Sequence, residues 1–425
     1  MEKTPDYQRV VVINQSSHWK SAKLGDVAYL AGRIGWKGLT AKEYTDAGPL
    51  FLSVHSLNYG DYVDCRDAFH ISQARYDESP EIMLQKNDVL ICKDGAGIGK
   101  VGIVKDLPAL ATINSSLLLI RSGDAVNAKY LYYVLLSPYF QRIVQSRLEG
   151  ATTPHLYQRD IKEFPIHYPP LPEQKRIVAI LDEAFAGISQ AVANAEKNLA
   201  NARELFDSYL NEVLTRKEEG WGQEILSNIC TVKDGTHDSP KYVQQGIPFI
   251  TQKNIKDDGL NFDDVRLISA SDHNNFYRRS DVAKGDILIS MIGVNRGMPC
   301  LVDDDRVFSI KNVGLIKSSD SINMNFLLFY LKSSLARKYV EISSNGGAQP
   351  FIGLTKLRSF PILIAPKPAQ NKIVDTLNAI QGEIRVLESI YQRKLTALVE
   401  LKQTILQKAF TGELTADWVE KEVAT

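Results

Sequence analysis

Asp94-Gly95-Ala96-Gly97-Ile98-Gly99-Lys100 is the segment that comes nearest to a phosphate-binding loop. That chemistry needs a lysine followed by Ser or Thr at the start of a helix, with backbone amides wrapped around the phosphate. Here the glycine spacing differs, Val101 follows Lys100, and Val101–Val104 has the pattern of a strand. The related segment Ile292-Gly293-Val294-Asn295-Arg296-Gly297 has no lysine. Both segments read as glycine-rich connections between strands. Glycines there still let the backbone approach a ligand closely, so Lys100 and Arg296 could meet a phosphate or a base edge.

Other chemistry is harder to place. The seven histidines show neither HxH nor HExxH spacing, so no metal site is expected. Cys65, Cys92, Cys230 and Cys300 form no CxxC pair. Scattered in this way they suit a reducing compartment, where they act as small apolar residues. No GxSxG elbow occurs, and Tyr168-Pro169-Pro170 carries its prolines and aromatic in the wrong order for an adenine-methyltransferase motif. No catalytic residue is therefore assigned to this chain.

Composition sets the frame in which such residues must sit. The chain has 425 residues, enough for several domains, with 44% hydrophobic and 24% charged residues. Its 50 basic and 50 acidic side chains cancel. Residues 1–170 hold 19 basic and 18 acidic groups, and residues 217–366 hold 18 and 17, so neutrality hides no basic half. A generic polyanion-coating protein is excluded; contact with nucleic acid at chosen positions is not. Met1–Arg9 is polar without a signal-peptide core, and no uninterrupted apolar run approaches membrane-spanning length. The expectation is a soluble, cytoplasmic chain with no membrane partner.

The elements that position these residues are written twice. Gly150, Pro154, Phe164, Pro165, Ile166, Pro170, Pro172, Gln174, Ile177, Val178 and Leu181 recur 196 positions later, as Gly346 through Leu377. Upstream, GPLFLSVHSL from Gly48 answers GIPFITQKNI from Gly246, and LQKNDVLIC from Leu84 answers VAKGDILIS from Val282. Those blocks are shifted by 198 positions. Trp19 and Trp221 each open a half.

Each half begins with short apolar runs bounded by turn residues, read as strands: Asp88–Cys92, Val101–Val104 and Leu117–Ile120, then Asp286–Ser290 and Val313–Ile316. A helix is expected over Tyr130–Leu148 and another over Asn325–Ile342. After Pro172 and Pro368, apolar residues step by three and four, the pattern of a long helix with one seam. A run of ~40 residues makes a rod of about 60 Å. A rod with one apolar stripe needs a partner, and the chain connections favour the other rod in antiparallel pairing. The seam is assigned to Ile177, Leu181, Ile188, Leu199 and Leu205, and to Ile373, Leu377, Ile384, Leu395, Leu401 and Ile405. These residues also offer faces for partners. The expected fold is α+β: mixed α/β domains at 1–170 and 217–366, joined by long helices at 171–216 and 367–425. The helices pack as an antiparallel coiled coil, and the whole is a pseudo-two-fold internal repeat.

These features carry a resemblance. Tyr168-Pro169-Pro170-Leu171-Pro172-Glu173-Gln174 and its copy Pro366-Lys367-Pro368-Ala369-Gln370 each open a long helix. With the closing Leu406-Gln407-Lys408-Ala409-Phe410-Thr411-Gly412-Glu413-Leu414, the chain is similar to the specificity subunits of Type I restriction–modification enzymes over almost its whole length. The second copy departs from the first at Ala369 and Asn371, where Glu173 and Lys175 stand.

The resemblance implies two target-recognition domains that read the halves of an asymmetric, bipartite site in double-stranded DNA, and helices that fix the spacer. It implies two partner methyltransferase subunits that bind S-adenosylmethionine and methylate adenine at N6. It leaves room for motor-nuclease subunits using ATP with magnesium, and for a role in defence against foreign DNA. No cofactor would belong to this chain. Base reading needs polar side chains in loops. The candidates are Arg33, Lys37, Lys93, Lys100, Ser115 and Thr153 in the first domain. In the second they are Lys233, His237, Lys253, Asn254, Arg296, Lys311 and Gln349. The competing reading is a non-catalytic coiled-coil scaffold whose two ligand-binding domains gather protein partners without touching DNA.

Overall fold

The computed structural model describes residues 18–33, 39–148, 155–216, 219–344 and 350–417, without the side chains of residues 147 and 148. The chain forms two compact units, Met1–Asn194 with Arg393–Thr425, and Ala195–Gln392.

In the first unit, Ala28–Gly32, Leu117–Ser122, Val89–Cys92 and Val101–Ile103 make an antiparallel sheet in that order. Phe69–Ile71, Tyr44–Leu52 and Ala111–Ile113 make a second sheet, whose last pair is parallel. The strands Val89–Cys92 and Leu117–Ile120 are apolar without alternation because both faces are covered. Val89, Ile91, Leu118 and Ile120 pack on the side of Tyr130 and Leu131, while Leu90, Cys92, Leu117 and Leu119 pack with Leu50 and Leu52. Lys20–Lys23 pairs with Pro165–Tyr168, the strand that leads into the first long helix.

The second unit repeats this plan. Its larger sheet runs Val232–Asp234, Val313–Ile316, Ile287–Ser290, Pro299–Leu301, and its smaller one Arg266–Ile268, Ile247–Ile250, Ser309–Ile310. Gly222–Ile225 pairs with Pro361–Ile364 ahead of the second long helix. The expected strands are all present within a residue or two of their expected ends.

The two shorter helices differ from expectation. Each is a pair: Ala128–Leu136 with Pro138–Leu148, and Met324–Lys332 with Ser334–Ser343. The break falls on Ser137 and Ser333, both extended, at φ −63°, ψ 149° and φ −66°, ψ 160°. Pro138 disfavours a helical residue before it. The buried Ser137 hydroxyl closes the first helix on the Val134 carbonyl at 2.6 Å and accepts from the Phe140 N–H at 3.3 Å, so one side chain ends a helix and caps the next. Ser333 does the same with Tyr330 and Ala336.

The long helices are Leu171–Thr215 and Lys367–Thr411, 45 residues each. Their antiparallel pairing follows within each unit. In the first, Ile177, Leu181, Phe185 and Ile188 at the start of one helix share a core with Leu406 and Ala409 at the end of the other. In the second, Leu210 and Leu214 at the end of the first helix share a core with Val374 and Leu377 at the start of the second. Leu199, Ile373, Leu395 and Ile405 are half-buried and Ile384 is buried.

Leu205 and Leu401 are corrections. They are 66% and 46% exposed, and the seam passes instead through Ala202, Phe206 and Leu210, and through Leu398, Ile405 and Leu406. A residue one step off the seam points away from it however apolar it is. The long helices contain no uninterrupted apolar run of membrane-spanning length. One window of the first long helix is apolar enough, at a mean hydropathy of 1.2, to cross a membrane by length and composition. Inside that helix, however, Asp182 is paired with Lys129 at 2.8 Å and accepts from the Tyr133 hydroxyl at 2.5 Å.

Candidate nucleic-acid interface

The two glycine-rich segments are strand connections of one geometry. Asp94–Lys100 joins Val89–Cys92 to Val101–Ile103, and Ile292–Met298 joins Ile287–Ser290 to Pro299–Leu301. Gly95 and Gly293 both have φ +78°, and Gly99 and Gly297 have φ +84° and +86°. A Cβ on Gly99 would lie 2.8 Å from Val144, and one on Gly297 2.9 Å from Val340. The glycines therefore serve the left-handed turn and its seat on the helix behind it.

What these frames present differs. In the first unit Asp94 bridges to the backbone of His155, its carboxylate contacts the His155 ring, and its other oxygen takes the Lys93 ammonium at 2.8 Å. Tyr157 stands 47% exposed beside this group, its ring edge-on to His155 and 4.8 Å from the Arg159 guanidinium. In the second unit Ile292 bridges to Phe351. Val294 at the loop tip is 95% exposed and Phe351 44%. The same frame thus carries a charged cluster in the first unit and an apolar one in the second.

The second unit has its own polar cluster one loop away. His237 reaches the side-chain Oδ1 of Asn312 at 2.8 Å through Nδ1 and lies 3.2 Å from Asp234 through Nε2. Asp234 also takes Arg279 at 2.7 Å, and Lys311 donates to the Ser239 hydroxyl at 2.6 Å.

Among the residues singled out from sequence, Lys93, Lys100, His237, Lys311 and Arg296 sit in these loops. Lys100 donates to Asn58 at 2.6 Å and Arg296 to Ser344 at 2.9 Å. Ser115 and Lys253 are exposed and Lys233 is half-buried. Two leave the set of base readers. Arg33 is buried, donating to the Ile113 carbonyl at 3.0 Å, with its guanidinium over the Phe51 ring at 5.3 Å. Asn254 is buried as well; its carboxamide accepts the Thr251 N–H at 2.9 Å and donates to the Asn261 carbonyl at 3.1 Å. Polarity in a loop sequence does not separate a reader from a loop brace. Lys37, Thr153 and Gln349 lie outside the described residues. Sequence reading missed His155, Tyr157, Val294 and Phe351. His155 and Phe351 stand 196 positions apart, which marks them as equivalent, but the shift does not show what each pairs with.

Among the described residues no group of three or more His, Cys, Asp or Glu could hold a metal. The four cysteines are free, and burial pushes the Cys230 thiol up to about 11 and Cys300 up to about 12, so neither is a thiolate at neutral pH.

A duplicated mixed domain with two long helices thus carries unlike loops, one charged and one apolar, on like frames. The model of the Type I restriction modification DNA specificity domain matches residues 16–197 and 218–393, and the chain belongs to that family. It is 25% identical to the EcoBI specificity subunit of Escherichia coli over 69% of this chain and 67% of that one. It is 20% identical to the EcoKI specificity subunit of Escherichia coli strain K12 over 87% of each. Its fold matches a chain from a structure of complex assembly and conformational transition in the type I R-M system. That match has a TM-score of 0.76 and 20% identity, and covers 94% of this chain and 99% of the other. As a member of this family the chain is a specificity subunit, non-catalytic by itself, which selects the DNA site at which a restriction–modification complex acts.

Proposed function

We propose that the two units read the two unlike halves of an asymmetric, bipartite sequence in double-stranded DNA. The paired long helices fix the spacing between the halves. The observation that carries this reading is the exchange at one bridge position. Asp94 with His155 in the first unit is replaced by Ile292 with Phe351 in the second, on loops whose glycines have the same φ angles. Like frames with unlike side chains suit two different half-sites, since hydrogen-bonding and apolar groups select different base edges. Lys93, Lys100, Ser115, His237, Lys253, Arg296 and Lys311 are the proposed polar readers.

Two methyltransferase subunits complete the proposed complex, binding S-adenosylmethionine and methylating adenine at N6. Motor-nuclease subunits using ATP with magnesium extend it, and the cytoplasm is its proposed place. Charge balance fits a division of labour in which partners hold the phosphate backbone while this chain reads bases. The test is a chimaera in which residues 1–170 come from another specificity subunit. One half-site should change and the other persist; a change in both contradicts the modular reading.

A further inference from the structure

The two units differ most in chemistry at the root of their long helices. In the first, the Glu173 carboxylate is 2% exposed and fully engaged. It accepts from the Trp19 indole N–H at 3.3 Å and the Thr415 hydroxyl at 2.7 Å, and lies 2.7 Å from His18 Nε2. The segment Glu413–Thr415 therefore sits over Trp19, which is 8% exposed.

In the second unit Ala369 stands where Glu173 does, 196 positions on. The matching Trp221 is only half-buried, and its indole N–H has no acceptor among the described residues. The end of the first long helix runs on to Gly222–Ile225, and an open cavity remains, lined by Tyr209, Val213, Arg216, Trp221, Ala369 and Lys372. Lys372 has no ion pair among the described residues, and Arg216 is paired with Glu212 of its own helix turn. In the first unit the corresponding indole donor is satisfied by a carboxylate of the chain's own; in the second it lies beside Arg216 and Lys372 with none.

We propose that this cavity receives an Asp or Glu side chain from a partner polypeptide, which takes the place Glu173 holds in the first unit. The inference rests on the proposed complex with methyltransferase subunits and names one contact within it. It makes the two units unequal as docking sites, one internally closed and one completed by the partner. A carboxylate is favoured over a phosphate because the equivalent site is built for a planar carboxylate between an indole N–H and a hydroxyl.

The test uses the complete complex of this chain with a methyltransferase subunit, treated with a water-soluble carbodiimide and analysed by mass spectrometry. The expected result is an amide between Lys372 and an Asp or Glu of the partner. Ala369→Glu, which supplies an internal carboxylate, should suppress that link. Lys372→Glu should weaken subunit binding about tenfold or more, and Arg176→Glu, 196 positions earlier, should not. A Lys372 link only to this chain's own carboxylates, or wild-type binding by both Lys372→Glu and Ala369→Glu, would overturn the proposal. So would Lys372→Glu retaining the subunit while losing DNA affinity, which would assign the cavity to a DNA phosphate. Failure of the unaltered chain to bind any methyltransferase subunit would instead remove the proposed complex itself, and this contact with it.

Discussion

The side-chain carbonyl of Gln174 accepts the backbone N–H of Asn127 at 2.8 Å, which fastens the first long helix to the recognition body of its own unit. The Gln174 amide nitrogen meanwhile donates to the carbonyls of Pro169 at 2.8 Å and Ala125 at 2.9 Å. Gln370 repeats the arrangement on Asn323 and Ala365, at 2.8 and 2.7 Å. Both glutamines are buried, at 0% and 1% exposure, and so are Pro169 and Ala365, whose carbonyls would lose a donor. Gln174→Leu or Gln370→Leu should each destabilise its unit by about 1–3 kcal/mol, the cost of stranded backbone groups. Urea unfolding should show it; an unchanged midpoint would mean that the clamp contributes nothing.

Glu173 should be costlier to remove. Glu173→Ala strands the Trp19 indole N–H and the buried Thr415 hydroxyl, for an expected loss of about 3 kcal/mol or more. Thr415→Val removes one donor only and should cost about 1 kcal/mol. Limited proteolysis near Thr411 should rise with Glu173→Ala, because the Glu413–Thr415 turn loses its anchor.

The glycine loops give a graded prediction. Gly95 and Gly99 both have positive φ, but a Cβ on Gly95 meets nothing within 4 Å whereas one on Gly99 meets Val144. Gly95→Ala should cost about 1 kcal/mol of backbone strain, and Gly99→Ala appreciably more. Val144→Ala should recover part of the Gly99→Ala loss and none of the Gly95→Ala loss. Equal thermal shifts for the two glycine variants would contradict the packing.

Two histidines set an acid limb. Burial lowers the pKa of His273, whose Nδ1 lies 2.9 Å from the Ser309 hydroxyl, and of half-buried His167. Each is held below its ordinary value of 6.5, so the unfolded chain binds the proton more readily. Their contribution is present above that value and is lost as pH falls through the lowered folded pKa. Denaturant midpoints should therefore fall on acidification below about pH 6.5, and His273→Gln should flatten part of the fall. An unchanged pH profile in the variant would show that His273 is not a source.

The neutral charge predicts the salt response. Slope against salt counts the phosphates a protein neutralises, roughly one unit per contact. DNA binding by this chain alone should be weak with a shallow slope, and the complex should show a steep one. A steep slope for the isolated chain would place the phosphate clamp here.

Much of this was legible in the residues. The fixed shift between copies, the prolines before each helix and the steps of three and four marked the long helices. Apolar runs without alternation marked strands covered on both faces. Side-chain direction was less legible. Leu205 and Leu401 have the right type one step off the seam, and Arg33 and Asn254 are polar loop residues turned inward as braces. Ser137 and Ser333 break helices through hydroxyl bonds that a hydrophobic pattern does not register. The bridge partners His155 and Phe351 depend on a long-range pairing that spacing alone does not disclose.

The most direct test of site selection is modified-base sequencing of DNA from a host that carries this chain with its methyltransferase partner. Methylated adenines should fall at one split, asymmetric sequence with a constant spacer. Methylation scattered without a common sequence, or absent while the partner is present and soluble, would contradict the account.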